Sequence, residues 1–166
     1  MAVRVCPGAP KGKVYKKIRM NVGVIGGSVC NKKIYKIAFE LGRLIAKEKW
    51  VLICGGGGGV MEAVCKGAKS EGGLTVGILP SIDGREANKY LDVKLPTGLG
   101  YVRNTLIVRA SDILIAVDGR YGTLSEIAFA LNEGKLVLGI ETWDIKGIKK
   151  VKTPQEAINF IKKLKR

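Results

Sequence analysis

With 166 residues and 46% apolar content, the chain is large enough to bury a proper core, and a single globular domain is expected. No apolar run approaches the ~20 residues needed to span a bilayer, and no apolar segment backs the basic N-terminus, so a cytoplasmic protein is expected. The formal charge of +15 suits a lysine-rich solvated surface that also steers small anions, while the lack of histidine removes Cys/His zinc sites and every Ser-His or Cys-His nucleophile.

Residues 1–18 read as a basic arm, with Pro7, Gly8, Pro10 and Gly12 among Lys11, Lys13, Lys16 and Lys17, and residues 19–166 as one domain. Arg19 to Ile25 is a predicted strand that ends in a tight turn at Gly26-Gly27-Ser28. Ile34, Ile37, Ala38, Leu41, Leu44 and Ile45 recur at helical spacing and predict an amphipathic helix over 32–49. Val51 to Cys54 is a second short strand. It runs into Gly55 to Gly59 and then a helix carrying Val60, Met61, Ala63, Val64 and Ala68 as far as Gly72-Gly73.

A third strand over 74–79 stops at Pro80, and the polar stretch 81–88 reads as a mobile loop, a candidate rim or lid. Tyr90 to Leu95 is a short fourth strand, and helical pattern resumes from Tyr101 to Ser111. Ile113 to Val117 is a continuous apolar strand, followed by a turn and a helix in which Ile127, Ala128, Ala130 and Leu131 recur at helical spacing. Leu136 to Ile140 is the last expected strand, and a helix over 153–164, with Pro154 in its first turn, closes the chain. This alternation predicts a Rossmann-like, doubly wound α/β fold with a mainly parallel sheet and helices on both faces.

Three glycine turns, at Gly26-Gly27-Ser28, Gly55 to Gly59 and Gly119 to Gly122, each follow a predicted strand and so open on one edge of the sheet. Glycine lets backbone N–H groups approach a ligand closely, and five in a row carry an entropic cost that folding alone does not justify. The third turn starts a helix, whose positive end suits a phosphate. The first turn is not G-x-G-x-x-G, no acidic residue closes the second strand, and G-x-x-x-x-G-K-[ST] is absent, which disfavours ordinary dinucleotide binding and a P-loop ATPase. The four cysteines form no CxxC pair, so no metal site is expected, and Cys54 and Cys65 read as small core residues.

The run Gly55 to Gly59 continued by Val60-Met61-Glu62-Ala63, the Arg103-Asn104 pair, and Gly-x-x-Gly122-Thr123-x-x-Glu126 resemble the Lonely Guy (LOG) family, once labelled possible lysine decarboxylases. The resemblance covers roughly Asn21 to Trp143, and Pro96-Thr97-Gly98-Leu99-Gly100 with Arg103-Asn104 is more similar to the branch containing molybdenum-cofactor carrier proteins. It implies a homodimer, or a multiple of one, that binds a phosphate-bearing small ligand, either a nucleoside monophosphate or a molybdopterin-like molecule, with no further cofactor required. In the family's enzymes the N-glycosidic bond of a nucleoside 5′-monophosphate is hydrolysed, which implies Arg103 and Glu126 as the catalytic pair. Gly119, Gly122 and Thr123 would hold phosphate, with Arg120, Tyr121 and Asn104 beside them. Gly26, Gly27 and Ser28 from the first turn, and Gly56, Gly57, Gly58, Gly59 and Met61 from the second, complete the expected site.

The chemistry is coherent without the resemblance. A carboxylate stabilises the positive charge that builds on ribose as a base departs, and arginine grips phosphate in bidentate fashion. Thr123-x-x-Glu126 also reads as a capping box. Family enzymes begin the motif Pro-Gly-Gly where this chain has Asp118-Gly119-Arg120, and they carry lysine where it has Asn104. Asp118 needs an offsetting charge from Arg120 or Lys135. The expected function is a phosphoribohydrolase, with a non-catalytic binder or carrier of a phosphorylated ligand as the alternative. The basic ends raise RNA association as a third reading, but no aromatic side chains interleave them, and nucleic acid is not the expected partner.

Overall fold

The computed structural model describes residues 19–164. The basic arm read from residues 1–18 lies outside them. Seven strands form one sheet: β1 (Asn21–Gly26), β2 (Val51–Cys54), β3 (Leu74–Leu79), β4 (Val93–Pro96), β5 (Ile113–Val117), β6 (Val137–Ile140) and β7 (Lys149–Lys150). Their order is β4-β3-β2-β1-β5-β6-β7, and every adjacent pair is parallel. The helices are α1 (Lys32–Lys47), α2 (Val60–Ser70), α3 (Asn104–Ala110), α4 (Tyr121–Asn132) and α5 (Pro154–Leu164), with a 3-10 turn over Gly100–Arg103 ahead of α3.

Alternation along β1 shows how the sheet acquires two cores. Val22 and Val24 face a layer with Leu41, Ile45, Val64 and Ile158, from α1, α2 and α5. Ile25 faces the other layer, with Ile107 and Val108 of α3 and Ile127 and Ala130 of α4. Both faces are therefore covered, the condition under which a parallel sheet is stable. From β1 at the sheet's centre the strands wind outward to β4, then return to β5 on the other side of β1. That reversal leaves a crevice at the carboxyl ends of β1 and β5.

Some expectations need correcting. The first helix ends at Lys47 rather than Lys49, because Glu48 caps it and Lys49 turns to φ +59. The sheet has a seventh strand that the pattern did not reveal, since two lysines carry no apolar alternation. The helix expected from Tyr101 opens as the 3-10 turn. The stretch 81–88 is tied down: Ser81 Oγ donates to Glu86 at 2.6 Å, and the Asn88 N–H donates to the Gly56 carbonyl at 2.8 Å. Asn88 Nδ2 adds bonds to the Gly56 and Gly57 carbonyls at 3.1 and 3.0 Å, so this loop braces the second glycine turn.

Candidate functional site

A cavity of about 620 Å³ opens at the carboxyl edge of the sheet. Gly26, Gly27 and Ser28 bound it after β1, Gly55 and Met61 after β2, and Arg120, Tyr121, Gly122 and Thr123 after β5. Arg103, Asn104 and Glu126 also line it, so most of the expected site residues meet in one volume.

Gly56, Gly57, Gly58, Gly59 and Gly119 do not line the cavity. The carbonyls of Gly56 and Gly57 are taken by Asn88. A Cβ on Gly58 would stand 3.2 Å from the Ser28 carbonyl oxygen, so this part of the run packs against the first turn. Gly119 passes directly beneath the Thr123 side chain. These glycines shape the corners, while Gly55 touches the space itself. Nothing in a run of identical residues marks which one faces a ligand. Val24, Ile25, Val29, Tyr101 and Ser125 also line the cavity, beyond the residues that the sequence motifs mark. Tyr101, two residues before Arg103, was the one with a readable signal, since an aromatic on a site-bearing turn suits a ring-shaped ligand.

The start of α4 carries the anion-binding potential. Its N-cap is Arg120, with no side-chain capping bond, and Thr123 lies within the helix. The capping-box reading therefore fails: Thr123 sits too far in to cap, and Glu126 is a full turn beyond the helix start. First-turn N–H groups have no intrahelical partner, so those of α4 are available to an anion. Arg120 is exposed on the cavity wall. Lys135 does not offset Asp118, because its Nζ donates to the Val108 and Ser111 carbonyls at 2.7 and 2.6 Å and so closes the end of α3.

Arg103 is only 9% exposed. Its Nη2 donates to the Gly55 carbonyl at 3.2 Å, its Nη1 donates to Asn104 Oδ1, and its Nε has no acceptor among the described residues. Asn104 Nδ2 in turn donates to Ser125 Oγ at 3.1 Å, and Ser125 Oγ donates to the Gly122 carbonyl at 2.7 Å. Glu126 is 6% exposed, and burial pushes its carboxyl up to about 8 against the opposing pull of the Arg103 charge. At neutral pH the site thus presents one buried cation, one mostly neutral carboxyl group and a row of backbone donors. Such a set can grip a phosphate or another oxyanion.

The model of the SLOG cluster4 family matches residues 19–165. A protein of Archaeoglobus fulgidus is 49% identical over 142 residues, covering 85% of this chain and 93% of its relative. The cytokinin riboside 5′-monophosphate phosphoribohydrolase of Mycobacterium tuberculosis is 34% identical over 112 residues. That match covers 66% of this chain and 60% of the enzyme, so the chain spans less than two thirds of the enzyme's length. Among solved structures, the molybdenum cofactor binding protein of Rippkaea orientalis superimposes with a TM-score of 0.84 at 35% identity, over 91% of this chain and 100% of that one.

Proposed function

We propose that this chain, which belongs to the SLOG cluster4 family, binds a small phosphate-bearing heterocyclic ligand in the crevice and releases it intact. One observation carries the reading: the first glycine turn, the uncapped start of α4 and the buried Arg103 converge on one cavity. Each favours an anion, and together they leave room for more than inorganic phosphate. Tyr101 and Tyr121, 86% and 81% exposed on the rim, offer ring faces to a nucleobase or pterin.

The charge state of the site supports retention over cleavage. Breaking an N-glycosidic bond builds positive charge on the sugar, which an ionised carboxylate stabilises best. Glu126 is largely protonated at neutral pH, and two Arg103 nitrogens are committed to Gly55 and Asn104. Likeness over 91% of the chain to a molybdenum cofactor binding protein supports the same reading. Phosphoribohydrolase activity is the second reading, favoured by the burial of Arg103 and Glu126 in one cavity.

We also propose a homodimer through the α3–α4 face. Val102, Leu106 and Phe129 are exposed there. The only charged side chain on the exterior of α3, Arg109, is paired with Glu133 at 2.8 Å. An apolar surface whose neighbouring Lys135 is spent on α3 carbonyls suits a second copy of a chain of net charge +15, since like charges stay apart.

Mass spectrometry of small molecules released by denaturing the purified protein tests the ligand reading. A phosphorylated heterocycle in stoichiometric amount supports it. Incubation with nucleoside monophosphates tests the second: free base that no longer forms with Glu126→Gln establishes the hydrolase.

A further inference from the structure

Buried arginine and buried carboxyl groups that share a cavity ordinarily form an ion pair, because an isolated charge is costly to bury. Here Arg103 and Glu126 line the same cavity, yet the hydrogen bonds of Arg103 go to the Gly55 carbonyl and to Asn104. Asn104 is 2% exposed and uses both ends of its amide: Oδ1 accepts from Arg103, and Nδ2 reaches Ser125 on α4, with a longer contact of 3.5 Å to the Gly122 carbonyl. The amide is thus fixed at both ends and cannot turn away from the guanidinium without losing a partner.

We infer that Asn104 is a positioning residue: it holds the Arg103 guanidinium on the Gly55 side of the cavity, off Glu126, so that the cation stays uncancelled for an anionic ligand. It acts through Arg103, and its tie to Ser125 links the cation to the helix whose first turn meets the phosphate. This use of the charge rests on the ligand reading above; the holding of Arg103 does not. Other groups that act electrostatically on Arg103 are the Cys54 thiol at the end of β2, Glu86 in the brace loop and Tyr101. None of them is hydrogen-bonded to it among the described residues, so removing Asn104 leaves Glu126 as the nearest available anion in the cavity.

The test follows the carboxyl carbon of Glu126 by NMR in ligand-free protein with labelled glutamate, identified by its loss in Glu126→Gln. In the parent chain it titrates at about 8. Asn104→Ala frees Arg103 to pair with Glu126, and the midpoint falls by roughly 1–3 units, the effect of an opposite charge at contact distance. Asn104→Asp keeps Arg103 in place and adds an anion, so the midpoint stays or rises. A residue that merely fills space would not lower the midpoint in the alanine variant while leaving it level or higher in the aspartate variant. If Asn104→Ala fails to fold, Ser125→Ala, which removes the anchor of the amide, carries the same downward expectation. An unchanged midpoint in a folded Asn104→Ala or Ser125→Ala chain overturns the inference.

Calorimetry with adenosine 5′-monophosphate is the second arm, with both Asn104 variants expected to bind at least about tenfold more weakly than the parent chain. If Glu126 shifts as stated while no version binds the nucleotide, the positioning role stands and the ligand reading falls. Parent binding with unaltered affinity in both variants leaves the ligand reading standing and overturns the claim that Asn104 keeps the cation free for the ligand.

Discussion

Gly59 and Gly27 lie so close that a Cβ on Gly59 would stand 2.5 Å from the Gly27 carbonyl oxygen, which already accepts the Val60 N–H at 2.9 Å. Gly59 also adopts φ +60 and ψ −122, a region closed to side chains. The first and second glycine turns are thereby locked together. We expect Gly59→Ala to cost about 3–5 kcal/mol in denaturant unfolding, from strain and overlap combined. Gly72→Ala, at φ +69 with nothing within 4 Å, is the control and should cost only about 1–2 kcal/mol.

Gly122 gives the opposite outcome. It lies in the first turn of α4, no positive φ requires it, and an added Cβ would meet nothing within 4 Å. Folding therefore gains from alanine here, by about 0.5–1 kcal/mol. The same methyl would project where the residue lines the cavity. We expect Gly122→Ala to melt higher while binding a nucleoside monophosphate roughly tenfold more weakly or worse. A stabilised variant with unchanged affinity would show that the start of α4 does not meet the ligand.

Glu126 makes stability depend on pH with a definite sign. Its carboxyl titrates at about 8 in the folded chain against an ordinary 4.5. The folded state thus holds a proton that the unfolded state releases between those values. Stability from this group is fully present below about 4.5 and is lost as pH rises through about 8, to a total of roughly 3–5 kcal/mol. Glu126→Gln, neutral throughout, should flatten that slope. Urea unfolding of both chains at several pH values measures it, and parallel profiles would rule out a protonated Glu126.

The proposed dimer face yields a simple measurement. Leu106→Lys with Phe129→Lys places two charges among the exposed apolar side chains of α3 and α4. We expect light scattering to give twice the monomer mass, or a multiple of it, for the parent chain and the monomer mass for the double variant. A parent chain that runs as a monomer removes the proposal.

The sequence carried the architecture because strand, glycine turn and helix follow one another three times in a fixed grammar. That grammar alone places Gly26, Gly55 and Gly122 on one sheet edge, where the cavity opens. It could not say that Gly56 to Gly59 would face the brace loop and the first turn, since identical residues hide their orientation. Local pattern also misled at Thr123 and Glu126, where capping-box spacing recurs one turn inside a helix. The restraint of Arg103 by Asn104 joins neighbours in sequence, yet its meaning depends on Ser125, 21 residues further on, and is visible only in three dimensions. The loop 81–88 looked free because its polar composition says nothing of Asn88 reaching the Gly56 carbonyl.

Native mass spectrometry of the chain mixed at neutral pH with nucleoside 5′-monophosphates and a phosphorylated pterin tests the central claim most directly. The account predicts an adduct of intact ligand mass that persists over hours, and that Arg103→Ala abolishes. Accumulation of free base with ribose 5-phosphate, or no adduct with any of these ligands, would contradict it.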